Sequence, residues 1–146
     1  MERGDSCVQG QQHRYFYIDR KFGSGNLNEI NDALDDLDLF LESITKMDLA
    51  NSLLVRLTEL IPTTKSLLLK YRAADIFSHH SSVVLNLPSR DEIAFSLSRM
   101  IKGSDEVTRI VSLQIMNALI GSWCKDISLY HILLGKLSST AVLSSV

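Results

Sequence analysis

The chain has 146 residues, of which 45% are hydrophobic and 22% are charged, and its formal net charge is −2 at pH 7. This composition is typical of a folded soluble domain and excludes a chain that is disordered throughout. The slightly negative charge argues against a dedicated nucleic-acid binder, which would carry a strongly basic domain.

The sequence also contains no sign of export or membrane insertion. Its first residues do not resemble a signal peptide, and no apolar run approaches the length that spans a bilayer. Cys7 and Cys124 belong to no CxxC or Cys/His spacing, which is typical of reduced thiols in an intracellular protein. We therefore predict a cytoplasmic or nuclear protein.

Residues 1–26 differ in composition from the rest of the chain. A polar stretch leads into the aromatic cluster at 15–17, and a Gly-Ser-Gly triplet at 23–25 follows. The aromatic cluster has the composition of a strand, but no second strand is present to pair with it. We predict a flexible leader over 1–26, with an aromatic segment that docks on the body and a hinge at the triplet.

Residues 27–46 have the period of an amphipathic α-helix. Apolar residues recur every three or four positions from Leu27 to Ile44, which places them on one stripe. The segment has six acids and one lysine, a charge of −5, whereas residues 47–146 have ten bases and eight acids, a charge of +2. We interpret the acidic side as a solvated face and as the candidate docking site for a basic partner. Its residues are Glu29, Asp32, Asp35, Asp36, Asp38 and Glu42.

Five more helices are predicted in the rest of the chain. The second ends at Pro62, whose ring interrupts the hydrogen-bond ladder, and the third follows it. A capping box from Ser89 to Glu92 begins the fourth. Ser104, followed by two acids, begins the fifth, and Asp126 caps the sixth.

The fifth predicted helix, "SDEVTRIVSLQIMNALIGSW" at 104–123, is apolar around almost its whole circumference. Polar residues interrupt the apolar ones without forming a face of their own. A helix of this kind is a buried helix, so we predict that it is packed on at least two sides. Either a helical-repeat stack or a compact right-handed helical bundle would do this.

Internal similarity favours the stack. Residues 51–77 and 95–120 share one layout, a short helix, a tight break and a longer helix, at an offset of about forty residues, the period of HEAT or armadillo repeats. The phrase "GSDEVTRIVSLQIMNALIGSW" resembles the second half of such a unit, in which an Asp-x-Val-x-Arg-like turn precedes Leu-x-x-small-Leu.

The HEAT/armadillo resemblance implies an all-α stack of about six helices, with repeats at 47–87 and 89–126. It implies an α-helical domain over 27–138 and leaves a flexible tail at 139–146. Its functional implication is a non-catalytic scaffold, or an adaptor subunit of a larger complex. Such a module binds protein partners, including a basic or helical peptide, and forms homo- or hetero-oligomers, with no nucleic acid or membrane involved.

A second resemblance covers residues 27–87. This region is similar to the small helical domains related to the TFIIS N-terminus, including the integrase-binding domain, through Leu and Ala at helical spacing. That resemblance implies a nuclear domain that binds disordered peptides of the transcription machinery.

Candidate catalytic and metal-binding residues are few. On a helix the adjacent His79 and His80 would point about 100° apart and could not readily share a metal, so we predict surface histidines. Cys124 and His131 could pair as a nucleophile and its base. However, Cys124 follows Trp123 in an apolar setting, which favours a buried structural cysteine. We predict no metal, no cofactor and no enzyme, and a cysteine-dependent enzyme is the alternative.

Overall fold

A computed structural model describes the backbone of residues 2–44, 46–103 and 105–145, and the side chains of residues 10–44, 46–103 and 105–127. Every regular element in these ranges is an α-helix, so the predicted all-α class is confirmed. The seven helices are α1 (Glu2–Phe22), α2 (Leu27–Glu42), α3 (Met47–Thr63), α4 (Leu67–His79), α5 (Ser81–Leu85), α6 (Arg90–Gly103) and α7 (Glu106–Ser145).

Three helical hairpins follow one another along the chain. Helix α1 packs on α2, α3 on α4, and α6 on α7. The first helices of successive hairpins form one row, in which α3 contacts both α1 and α6. The second helices form another row, in which α4 contacts both α2 and α7, and the short α5 also packs on α7. The architecture is therefore a stack of helical layers.

Side-chain hydrogen bonds between successive hairpins join residues at a nearly constant distance in the sequence. The separation ranges from 35 residues, between Lys70 and Asp105, to 42, between Asp38 and His80. A stack of hairpins of similar length imposes this regularity. Membership of the HEAT or armadillo class stays a prediction. The other bonded pairs are Tyr15–Ser52, Asp19–Arg56, Asn31–Arg72, Asp35–Arg72, Asn51–Ser89, Lys70–Thr108 and Ser81–Ser122.

One hydrophobic core connects the three layers. Its largest buried side chains include Leu34 of α2, Leu57 of α3, Phe77 of α4 and Leu97 of α6. Covering a side chain of this size contributes about 1.5–3 kcal/mol to folding. The core is thus continuous from the first hairpin to the inner side of α7, where it includes Ile115.

Residues 2–22 form a docked helix where we expected a flexible leader. Tyr15, Ile18 and Phe22 of α1 follow one another at three- and four-residue spacing, and Ile18 and Phe22 are buried in the core. The adjacent aromatic residues of this segment obscured that helical spacing in the sequence. The aromatic segment does pack on the body, since the Tyr15 hydroxyl lies 2.9 Å from that of Ser52.

The Gly-Ser-Gly triplet lies in the turn that joins α1 to α2. Gly25 has a φ of +74°, in the left-handed region that glycine adopts without steric cost. The following residue, Asn26, caps α2, because its side-chain oxygen accepts hydrogen bonds from the backbone N–H groups of Asn28 and Glu29. The turn therefore fixes the point at which the chain reverses.

Helix α7 is one continuous helix where the sequence predicted a break at Asp126 and a tail after residue 138. Its 40 residues make it roughly 60 Å long. Asp126 follows Leu119 and Ser122 at the spacing of the buried face, yet it is exposed, so the layers that cover α7 end near Ser122. Neither α7 nor any other helix in the described ranges is long and apolar enough to cross a membrane.

Candidate functional site

Three of the six acidic residues of α2 contact cationic or ionisable side chains of α4 or of His80, the residue that follows it. Asp35 forms an ion pair with Arg72, whose guanidinium also donates a 3.0 Å hydrogen bond to the backbone oxygen of Asn31. Farther along α2, Asp38 bonds His80, and Glu42 Oε1 lies 4.0 Å from His79 Nε2. This half of the acidic face is therefore part of the contact between the first two layers.

Two other acidic residues lie toward α1. The pKa of Lys21 is raised above its ordinary value, chiefly by its hydrogen bond with Tyr17 and further by the negative charges of Asp32 and Asp36. The sixth residue, Glu29, is exposed in the first turn of α2, where the helix dipole favours an acid. Five of the six acidic residues of α2 thus face one of two neighbouring helices, either α1 or α4. Their binding of a basic partner stays a prediction.

The prediction of two surface histidines is wrong for His80. Its side chain is only 6% exposed, and its Nε2 lies 2.7 Å from Asp38 Oδ1, whereas the neighbouring His79 is exposed. The cause is the backbone, because α4 ends at His79 and His80 has a φ of −110° and a ψ of 32°. The two rings meet edge to face with their centroids 4.8 Å apart.

A buried lysine between α4 and α7 was missed in the sequence. Lys70 Nζ donates a hydrogen bond of 2.6 Å to Thr108 Oγ1 and bonds both carboxylate oxygens of Asp105, at 3.3 and 3.4 Å. The only sequence signal is its position among the apolar residues of α4, four residues before the buried Ala74.

Asp105 is the residue that caps α7, while Ser104, the predicted cap, lies outside the described residues. The carboxylate of Asp105 accepts hydrogen bonds from the Thr108 hydroxyl, at 2.7 Å, and from the Thr108 backbone N–H, at 3.2 Å. These two bonds, together with the nearby ammonium group of Lys70, lower the pKa of Asp105 to about 2. The start of α7 is therefore held by a charged network.

Helix α7 buries only one of its faces. Val111, Ile115 and Leu119 pack against the preceding helices, together with the buried polar residues Thr108 and Ser112. On the outer side four large apolar side chains are 47–57% exposed, and we call them the α7 ridge: Ile110, Leu113, Ile120 and Trp123.

The prediction that this segment is a buried helix, packed on at least two sides, is therefore wrong for its outer side. Helices α4, α5 and α6 pack against α7, but no helix in the described ranges covers the ridge. The sequence showed correctly that the helix is apolar all round, but it did not show that one side would lack a neighbour.

An apolar groove runs beside the α7 ridge, between α7 and the α5–α6 region. Its volume is about 440 Å³, and it is lined by Met116, Leu119, Ile120 and Trp123 from α7. The facing wall and rim include apolar and charged residues: Val84, Leu85, Arg90, Asp91 and Ala94. Since Ile120 and Trp123 belong to both features, ridge and groove form one surface.

The predicted buried cysteine is also exposed. Cys124 lies on the outer part of α7, next to the exposed Trp123, and its thiol is free. The side chains of Cys7 and His131 lie outside the described residues, and the Cys124–His131 pair stays a prediction.

The five aromatic residues that follow α2 in the chain have different surroundings. Phe77 is fully buried, whereas Tyr71, Phe95 and Trp123 are exposed. The side chain of Tyr130 lies outside the described residues. Only Trp123 belongs to the α7 ridge.

Comparisons of the chain with models of known families, with curated proteins and with solved structures found no match. The resemblances to HEAT or armadillo repeats and to TFIIS-type helical domains therefore stay predictions.

Proposed function

We propose that this protein is a non-catalytic protein–protein interaction module whose contact surface is the α7 ridge. One observation carries the proposal, namely that four large apolar side chains on one side of one helix are each about half exposed. Soluble monomers seldom leave large contiguous apolar patches in water, and such patches mark sites of association. The ridge residues themselves offer no nucleophile and no general base.

The occupant that this surface fits best is the same ridge on a second copy of the chain. Apolar residues on this side of α7 alternate at steps of three and four, the spacing of a coiled-coil seam. They are Leu113, Met116, Ile120, Trp123 and Ile127. A ridge that is apolar along its length is complementary to itself, so two copies related by a two-fold axis would cover the same residues on each chain.

The layered architecture supports the same proposal. In the first two layers, each second helix is covered by the second helix of the next hairpin, as α2 is by α4 and α4 is by α7. A helix from another chain on the ridge would continue that row. The resemblance to helical-repeat scaffolds agrees with this role, and we propose that the module works in the cytoplasm or nucleus.

Sedimentation equilibrium tests the proposal. We expect the wild-type chain to reach twice its monomer mass of 16.4 kDa as concentration rises. The double variant Leu113→Gln/Ile120→Gln should remain monomeric, because it places two amides in the seam. Leu39→Gln on α2 is the matched control, since Leu39 is equally exposed but lies away from α7, and it should associate as the wild type does.

Two results would overturn this assignment. One is a wild-type chain that stays monomeric at every concentration, which would remove the second copy as occupant. The other is a dimer whose affinity is the same in the double variant, which would place the interface on another surface. Circular dichroism of each variant separates a loss of association from a loss of folding.

A further inference from the structure

We propose that Asp38, His79 and His80 form a binding site for a divalent transition-metal ion, represented by Zn²⁺, at the junction of α2 and α4. One ring nitrogen of each histidine and one carboxylate oxygen of Asp38 all lie within 4.8 Å of one another. Glu42 is a fourth candidate ligand, because its Oε1 lies 4.0 Å from His79 Nε2. Two imidazoles with one or two carboxylates form a ligand set that zinc favours.

The backbone explains how two adjacent histidines can serve one ion. His79 is the last residue of α4 and His80 has left the helical conformation, so their side chains are not separated by the angle of a regular helix. Asp38 and Glu42 are four residues apart on α2, and therefore lie on the same side of that helix. The C-terminal end of α4 carries the negative end of its dipole, which favours a cation there.

The distances require only side-chain adjustment. Ligand atoms around a tetrahedral zinc ion lie about 3.4 Å apart, since each is about 2.0–2.2 Å from the metal. The 2.7 Å contact between His80 and Asp38 would open slightly, while the exposed side chains of His79 and Glu42 would move inward. The buried His80 is the fixed ligand, and the others can rotate without disturbing the core.

The site opens into a cleft through which an ion can enter. The cleft has a volume of about 580 Å³, and its lining includes Asp38, Asp75, Ser78 and His79, together with Asp35 and its ion-pair partner Arg72. Arg72 pairs with Asp35, so the carboxylates of Asp38 and Asp75 are the ones that provide a negative field for a cation. Ser78 also lines the cleft, and its Oγ atom is buried without a hydrogen-bond partner among the described residues.

Isothermal titration calorimetry of the chain with Zn²⁺, together with thermal unfolding with and without the ion, tests the proposal. We expect one ion per chain and a higher melting temperature, because the ion would link α2 to α4. His79→Gln and Asp38→Asn should each weaken Zn²⁺ binding at least about tenfold, because even the loss of a residue that hydrogen-bonds a metal ligand costs about that much. Both residues are partly or largely exposed, so these variants should fold.

Two controls separate this site from other zinc ligands. His13→Gln removes an exposed histidine of α1, and Cys124→Ser removes the exposed thiol of α7. Both should bind Zn²⁺ as the wild type does. Absence of saturable Zn²⁺ binding, or unchanged binding in His79→Gln and Asp38→Asn, would overturn the site. A loss confined to Cys124→Ser would also overturn it, by assigning the ion to the thiol.

The outcome is independent of the proposed function. None of the proposed ligands belongs to the α7 ridge, so sedimentation of the Leu113→Gln/Ile120→Gln variant and zinc titration of the His79→Gln variant report on separate surfaces.

Discussion

The ammonium nitrogen of Lys70 on α4 lies 2.6 Å from the hydroxyl oxygen of Thr108 on α7. Lys70 is 4% exposed and Thr108 is fully buried, so this contact lies between the second and third layers of the stack. A buried ammonium group is tolerated only where acceptors replace its water, and Asp105 supplies the other two oxygens. The charged network therefore fixes where α7 begins relative to α4.

Replacing Thr108 by valine should lower the free energy of unfolding by about 1–3 kcal/mol, because the buried ammonium group of Lys70 loses its closest acceptor. Valine has nearly the same shape as threonine, so packing is kept. Urea denaturation measures the change. Thr63→Val at the exposed end of α3 is the control and should have little effect. Equal stability of the Thr108→Val variant and the wild type would show that the network contributes nothing.

The contribution of Asp105 to stability should depend on pH. Its pKa is lowered from 3.8 to about 2 in the folded chain, chiefly by the hydrogen bond from the Thr108 hydroxyl. The folded state thus favours the carboxylate, and the stabilisation is present above about pH 4 and is lost as the pH falls toward 2. Thermal unfolding of the wild type and Asp105→Asn across this range should show a difference that shrinks on acidification. A difference that stays constant or grows toward low pH would contradict this assignment.

Helix α1 should contribute to the stability of the whole body. Ile18→Ala removes a fully buried side chain and should cost about 2–5 kcal/mol, the usual range for isoleucine in a core. Phe16→Ala, two residues earlier on the exposed side, should cost far less. Chemical denaturation of both variants decides the matter. If Ile18→Ala were as stable as Phe16→Ala, residues 2–22 would be a detached segment after all.

The parts of the fold that the sequence predicted well depend on local periodicity. The apolar stripe of α2 was correct for Ile30, Leu34, Leu37 and Leu41, which are all buried, because the three- and four-residue spacing determines one side of a helix directly. The predicted end of α3 at Pro62 is one residue from the observed end, because Pro62 lies in the last turn of the helix.

The features that the sequence did not predict depend on contacts between distant segments or on single backbone angles. Leucine is typical of buried positions, but Leu113 is half exposed because no other helix packs on its side of α7 in the described ranges. His80 is buried because the chain leaves the helix at that residue, and no spacing rule predicts this. The burial of Lys70 could not be predicted from local spacing, because its partners lie 35 and 38 residues away.

Trp123 provides the most direct measurement of the central claim, that the α7 ridge binds its own copy. It is the only tryptophan of the chain and is 57% exposed, so its fluorescence reports on the ridge alone. We predict that its emission maximum moves to shorter wavelength as the protein concentration rises, and that Leu113→Gln/Ile120→Gln abolishes the shift. An emission maximum that is the same from the most dilute to the most concentrated sample would contradict the claim.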